Sequence, residues 1–417
     1  MRHRRWLIFI LLLAGGLRLG WGLTRPVNDA AIDTLPDQRD YLSLASNLIH
    51  GHGLNFIDPR FDDTVYAFRT PGYPIFLAAF GANIRIARAV QALLDVSTIL
   101  GIYLLARLLV PVGYGRVPLI SAAILAINPF LIYFSALLLT ETLYTAMLVW
   151  GMVLLVRGNG GRGGSWGATF LWLAGGVILG LSVLVRPSAI ALSILLGLVA
   201  VFVNRTGAQP YEKPVVRWRL PVGATMVGIL LLCLLPWALR NVRVLGHWVW
   251  LDTNSGFTLY DGYNPDATGG SDQGFVDREP ELQILGEVGR SDYLAHKAEA
   301  YAQEHPARVL HLIVARLGRT WSPVPLSAEY GSVRNRLIAL VYALPFDLLV
   351  IVGLLIGNLS RSAKLLLLTP AIYFSTVHGL TVGSLRYRIP AEAPMAIIAA
   401  SALAAGAQRI ARRDVPV

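Results

Sequence analysis

Asp37, Asp40 and Glu141 are carboxylates set beside or inside apolar sequence, and Arg69, Arg186, Arg240, Arg243, Arg386 and Arg388 stand at the ends of apolar stretches. A carboxylate within hydrogen-bond reach of a hydroxyl can take its proton as that oxygen attacks carbon. The planar guanidinium fork matches the oxygens of a phosphate. Each residue also has a plainer reading. Asp37 sits where a helix should begin and is placed to cap it, with Asp40 favourably located in the first turn. Glu141, in LLLTETLY, would cost roughly 2.5–3.5 kcal/mol in an apolar helix unless it faces a cavity or snorkels to the surface. For any one arginine, headgroup contact is sufficient explanation; six on one side of a membrane ask for more. His50 and His52 form an HxH, but no other outer-loop histidine lies at ligand spacing, so no metal site is assigned. Asp95 and Asp347, within apolar stretches, read as structural partners of neighbouring arginines.

The elements that must position these residues are membrane helices. Of 417 residues, 55% are hydrophobic and 15% charged, with a mean hydropathy of +0.56; soluble domains carry about 25% charged residues. Apolar segments near 6–24, 87–109, 117–135, 137–156, 168–185, 188–203, 220–239, 336–357, 364–380 and 389–407 predict about ten spans. Alternate loops hold sixteen Arg and Lys against two acids, Glu212 and Asp414, which orients both termini toward the cytoplasm. The pI of 9.9 therefore reports topology, not nucleic-acid binding. Arg18 and the lack of a small-x-small cleavage site predict an uncleaved first helix rather than a signal peptide. The lone Cys233 excludes an intrachain disulfide. GNGGRGG at 158–164 reads as a flexible linker.

Two outer segments are too long to be simple connections. In the first, 25–85, PDQRDYLSLASNLIHGHG predicts an amphipathic interfacial helix started by Asp37 and ended by Gly51 or Gly53, and RTPGYPIFLAAFGAN a rigid turn. In the second, 240–335, GHWVWLDTNSGFTLYDGYNPDATGG suits loops or short strands, and SDYLAHKAEAYAQEHP a polar helix. PARVLHLIVARLGRTW is too short to span and predicts an interfacial helix with His305, Arg308, Leu312, Arg316 and Arg319 on a face toward anionic headgroups. The chain thus divides into a membrane module with its first outer loop (1–239), an outer segment (240–335) and C-terminal membrane helices (336–417).

The stretches PDQRDYLSLASNLIHGHG, RTPGYPIFLAAF, NPFLIYFSALLLTETLY, GLSVLVRPSA, PWALRNVRVLGHWVWLDTNSGFTLYDGYNPDATGG and RYRIPAEAPM, in that order from 36 to 395, resemble the polyprenol-phosphate-sugar-dependent glycosyltransferases of the GT-C superfamily. Those include bacterial relatives of the protein O-mannosyltransferases (glycosyltransferase family 39) and the aminoarabinose transferases of lipid A. The resemblance implies an all-α polytopic fold in a bacterial inner membrane with the active site on the periplasmic face. It also implies a sugar donor on a polyprenyl monophosphate, and Asp37 as general base for an inverting displacement on a protein, lipid or polysaccharide acceptor. Glu141 would line the same cavity, and the arginines, Arg69, Arg240 and Arg388 foremost, would hold the lipid phosphate. Many relatives have a second acid directly after the first, where this chain has Gln38 and then Asp40; the displaced spacing leaves a divalent cation open, with no other cofactor implied. Tyr41, Tyr73, Asn254, Tyr260 and Asn264 are weaker candidates for sugar or acceptor contacts, and Trp248, Trp250, Tyr260 and Tyr263 suit either a sugar platform or an interfacial aromatic belt. The rival functions are a lipid-linked-sugar flippase, which would predict repeats and interrupted helices near the midplane, and a scaffold or a ligase using diphosphate-linked donors.

Overall fold

In a computed structural model, described over residues 2–159, 166–203, 222–326 and 331–413, each of the ten apolar segments contains helix over its described residues. The chain runs α1 (Arg2–Thr24), α2 (Asp29–Asp33), α3 (Pro36–Ile49), a hairpin of β1 (Phe56–Asp58) and β2 (Asp63–Val65), then α4 (Gly72–Ala78), α5 (Ile84–Leu109), α6 (Val117–Ala126), α7 (Pro129–Phe134) and α8 (Glu141–Asn159). It continues through α9 (Trp166–Val183), α10 (Ile190–Val201), α11 (Val222–Leu245), α12 (Asn254–Gly262), α13 (Glu287–Glu304), α14 (Pro306–Thr320), α15 (Val333–Ile356), α16 (Arg361–Leu380) and α17 (Ile389–Arg413). Among the described residues, six helices are long and apolar enough to cross a membrane: α1, α5, α9, α11, α15 and the segment Leu385–Arg409. Large apolar side chains such as Leu12, Leu232, Val341 and Leu355 face outward from them, as a bilayer requires and water does not favour. The basic loop 204–221, Arg162 and Asp414 lie outside the described residues. Gly158 and Asn159, expected in a linker, instead complete α8; Asn159 is buried and donates to the carbonyls of Ala200 and Val203 at the end of α10.

The expected single span 117–135 is two helices. Asn128 ends the first and caps the second, accepting from the amides of Phe130 and Leu131, and Pro129 occupies the position where its missing N–H costs nothing. The exposed carbonyls at the end of α6 are taken by Arg18 of α1, which donates to Leu125 and Ala126 at 2.9 Å each and pairs with Asp95 of α5. Arg18 is fully buried. Asp95 is thus an ion-pair partner as expected, but of an arginine 77 residues away rather than a near neighbour.

Those outer segments form one body. Phe56, Val65 and Phe68 of the first pack with Phe257, Tyr260, Phe275 and Leu294 of the second in a small apolar core separate from the membrane core. Glu287 of α13 accepts from the amides of Tyr66 (2.6 Å) and Ala67 (2.8 Å) and from the Thr253 hydroxyl (2.7 Å). The β1–β2 hairpin was not foreseen, and the 246–270 stretch contains helix α12, where loops or strands were expected. The first outer loop returns to the membrane at Gly72. Its amide donates to the Leu184 carbonyl at 2.9 Å, and a Cβ there would sit 2.7 Å from the same oxygen. Only glycine lets the chain lie this close, and the contact brings Arg69 to the side where Arg186 follows α9.

Candidate active site

Helix α3 presents the two acids. Its N-cap is Leu35 and makes no side-chain cap; Pro36 is the first helical residue, so Asp37 lies inside the first turn and not at the cap expected for it. A carboxylate there still meets the positive end of the helix dipole, and its oxygens are free for other partners. Arg69 donates to Asp37 at 2.6 Å and to Asp40 at 2.8 Å. Arg386 donates to the other Asp37 oxygen at 2.7 Å and, through Nε, to Glu141. Arg186 reaches the same Glu141 oxygen at 3.2 Å. Five of the expected site residues, from α3, the first outer loop, α8 and the turns before α10 and α17, are therefore joined with Asp40 in one network.

Burial alone would raise the Asp37 carboxyl, but the Arg69 and Arg386 guanidiniums outweigh it and hold Asp37 well below the usual carboxylate range. At Asp40, burial prevails over hydrogen-bonded Arg69 and the weaker pull of Arg60, and raises the carboxyl. With guanidinium nitrogens on both Asp37 oxygens, these acids do not form the open oxygen set that a divalent cation needs. Among the described residues no three or more His, Cys, Asp or Glu converge as metal ligands; His50 and His52 stack on each other, 6.3 Å between ring centres.

The network closes one side of a cavity of about 1160 Å³. Asp37, Asp40, Arg69 and Arg386 line it, whereas Glu141 and Arg186 stand behind Arg386 and do not. Another part of the wall is apolar, made by Phe130 and Ile132 of the α7 segment, by Leu326, and by Ile338 and Ala339 of α15. No protein-family model and no curated protein matches the sequence. Solved structures do. The oligosaccharyltransferase AglB from Archaeoglobus fulgidus, in complex with an inhibitory peptide and a dolichol-phosphate, superposes with a TM-score of 0.55 at 14% identity, covering 100% of this chain and 52% of that one. The same archaeal enzyme tethered to an acceptor peptide gives 0.55 at 16% identity over 99% of this chain and 50% of that one. The chain shares the fold of this part of the archaeal oligosaccharyltransferase. The chain spans about half the length of these oligosaccharyltransferases. ArnT from Cupriavidus metallidurans, bound to undecaprenyl phosphate, superposes at a TM-score of 0.38 and 12% identity over 99% of this chain and 81% of that one, too loosely to bear on the site.

Within this fold the remaining candidates scatter. Arg240 donates to the carbonyls of Tyr66 and Leu54 at 2.6 Å and braces the first outer loop away from the cavity wall. Arg243 is exposed and lines no part of it. Arg388 is buried behind Phe130, paired with Glu392 at 2.9 Å and with Asp347 at 3.9 Å. Of the three arginines favoured from sequence, only Arg69 faces the cavity, because Arg240 and Arg388 are consumed by carbonyls and carboxylates of the scaffold. Gln38 is buried and ties α3 to its surroundings, donating to Ile32 O and accepting from Leu138 N; Asp40, one turn on from Asp37, is the acid that shares its cavity. Tyr41 and Tyr73 pack edge to face beneath Arg69, with the Tyr73 hydroxyl on Gln91. Asn254 lines the cavity. Tyr260 packs on Phe275 and donates to Glu279, and Asn264 caps the end of α12 through the Tyr260 carbonyl; neither faces the cavity. Trp248 and Trp250 stack on each other, exposed, as belt residues do.

Sequence reasoning missed Arg60, Asp58, Asp261, Gln273 and Arg319, all of which line the cavity. Arg319 was placed on a lipid-facing basic surface of α14, and the structure turns that surface inward. Arg316 is fully buried on the carbonyls of Gly262 and Gly379 and Arg308 donates to Ala267 O, while Leu310 and Val314 are the large apolar residues exposed on the helix, beside His311; His305, before the helix, stays exposed. A helix whose apolar residues are the exposed ones meets lipid with them. Asp252, before α12, is a further acid close enough to feel Arg69. Burial pushes it up to about 6, against Arg69 and the amides of Ser255 and Asn254. A carboxyl raised on folding is at its least costly below its unfolded value and burdens the fold as pH rises through the folded one. Asp252→Asn keeps the shape and removes that burden, so thermal melting should show stabilisation above about pH 6, at most about 3 kcal/mol, vanishing below pH 4. Equal melting of the two proteins at pH 8 would contradict this.

Proposed function

We propose that the protein moves a sugar from a polyprenyl-monophosphate donor to an acceptor on the outer face of a bacterial inner membrane, with inversion and with Asp37 as general base. The ten apolar segments are then spans, α6 and α7 together making one, with both termini cytoplasmic and the cavity outside, where soluble nucleotide sugars are absent. One observation carries the reading: a paired acid–arginine network and an apolar wall share one cavity. A donor with a charged head and an isoprenoid tail needs both. The dolichol-phosphate and peptides named with the archaeal enzyme support the same substrate classes here. The acceptor hydroxyl displaces one guanidinium from Asp37 and gives up its proton to that carboxylate. Its oxygen bonds to the anomeric carbon, and the bond from that carbon to the phosphate oxygen breaks with its electron pair on the phosphate. Asp40 orients the acceptor through Arg69, and Glu141 positions Arg386.

The test is purified full-length protein in nanodiscs with a radiolabelled polyprenyl-phosphate sugar and a panel of peptide, lipid and polysaccharide acceptors. Transfer abolished in Asp37→Asn supports the enzyme. Facilitated translocation of the lipid-linked sugar, unaffected by that substitution and without transfer, would make it a flippase. Transfer from diphosphate-linked donors alone would make it a ligase of another donor class.

A further inference from the structure

Most arginines that line the cavity are already spoken for. Arg60 is held by Asp58 and Gln273, Arg69 by Asp37 and Asp40, and Arg386 by Asp37 and Glu141. A guanidinium saturated by carboxylates offers little to an incoming anion unless an acid lets go. Arg319, from the last turn of α14, is different. It lines the same cavity, is partly buried, and makes no hydrogen bond or ion pair to any described residue. Asp261, the acid on that part of the wall, already accepts from the Ser271 hydroxyl (2.5 Å) and the Asp272 amide (2.8 Å). Arg334 also lines the cavity without a described partner, but it is exposed, where solvent and salt screen its charge.

Shape, not counter-charge, holds Arg319 in place. Its guanidinium lies against Gly270: a Cβ on that residue would fall 2.4 Å from Nη2, 2.7 Å from Cζ and 2.8 Å from Nε. The turn is fixed on both sides. Gly269, at φ +89°, packs on the α14 backbone at Arg316, and its carbonyl accepts from the Gly383 amide at 2.9 Å, three residues before Arg386. The loop therefore gives the guanidinium a flat bed and no acid. A half-desolvated cation without a counter-ion is costly unless an anion arrives to meet it.

We propose that Arg319 binds the phosphate of the lipid donor and takes up the charge that grows on it during transfer. This rests on the polyprenyl-phosphate reading above. The donor phosphodiester carries one negative charge; when the anomeric carbon–oxygen bond breaks, the electron pair stays on the phosphate, which leaves as a monoester with about −1.5 to −2 at pH 7. A fork that is unpaired beforehand strengthens its hold as that charge develops, so its effect falls on the transition state as well as on binding. The neighbouring apolar wall accepts the tail.

Binding of undecaprenyl phosphate and of uncharged undecaprenol to the full-length protein in nanodiscs separates the possibilities. The wild type should prefer the phosphate. Arg319→Gln should weaken phosphate binding about 10- to 100-fold, the worth of a charged hydrogen-bonded contact, while leaving the alcohol unchanged. Gly270→Ala, which keeps the charge but displaces the guanidinium, should do the same in part, and melting curves establish that each variant is folded. If Arg319→Gln does not fold, Gly270→Ala decides alone. Phosphate binding at wild-type strength in folded Arg319→Gln, or in Gly270→Ala where that variant decides, overturns the assignment of Arg319 and leaves the donor class standing. A wild type that does not distinguish phosphate from alcohol overturns the donor class itself, and this proposal with it.

Discussion

Asp37→Asn should leave a folded protein whose transfer rate is lower by about 10²- to 10⁴-fold, the range that a positioned general base contributes. Asparagine fills the same space in the first turn of α3 but keeps a single acceptor oxygen, so it holds one of the two guanidiniums that Asp37 holds, and the proton acceptor is gone. The pH profile adds a second reading. Asp37, held low by its two guanidiniums, stays ionised far below any working pH and sets no limb of the profile. Asp40 is raised by burial, and Arg69 rests on both acids. As pH falls, Asp40 is protonated first, loosens Arg69 and disturbs the base. The acid limb of kcat/KM should therefore follow Asp40, on the raised side of an unperturbed aspartate, and move to lower pH in Asp40→Asn. A limb that stays in place in Asp40→Asn would remove Asp40 from the reaction, and full activity in Asp37→Asn would remove the base.

Much of this arrangement was legible in the chain because membranes impose simple rules. Apolar runs marked the long helices, and the periodicity of 36–49 and 291–304 marked two polar ones; α12 and the β hairpin carried no such signal. Acids and arginines at helix ends marked where to look, and Asp37, Arg69, Glu141, Arg186 and Arg386 do converge. What stayed hidden depends on long-range pairing. Arg240 and Arg388 carry the same sequence signal as Arg69 and Arg386; only the fold shows that Tyr66 and Leu54 carbonyls take one and Glu392 the other. The inward turn of α14 was invisible for a related reason. Its basic face satisfies carbonyls at Gly262, Ala267 and Gly379, far away in sequence, and periodicity alone cannot tell a helix that shows its charges to headgroups from one that shows them to protein. The break at Asn128 had a local signal in the Asn-Pro pair, which favours a turn or a helix start, but it sat inside an apolar run long enough to span.

Glu141→Ala should destabilise the protein by about 3–5 kcal/mol, the usual loss when one partner of a buried ion pair is removed. Glu141 is 1% exposed and Arg186 5%. Around the Arg186 guanidinium stand the rings of Tyr144, Phe374 and Tyr387 at 5.5–5.8 Å, and its Nε has no hydrogen-bond partner. Without the carboxylate, that charge is left among aromatic faces whose attraction it already has in the intact protein, so they add nothing that replaces the lost pair. Arg386 would lose one of its carboxylate anchors at the same time, so kcat should fall although Glu141 touches no part of the cavity. The decisive comparison is a cycle. If the cost is that of a stranded cation, Glu141→Gln combined with Arg186→Gln must be less destabilised than the two single changes added together, by about 0.5–3 kcal/mol of coupling. Strict additivity in melting or denaturant unfolding would mean that the two side chains act independently. The acid at the head of α8 would then be a space-filling residue, and the path from Glu141 through Arg386 to Asp37 would carry no energy.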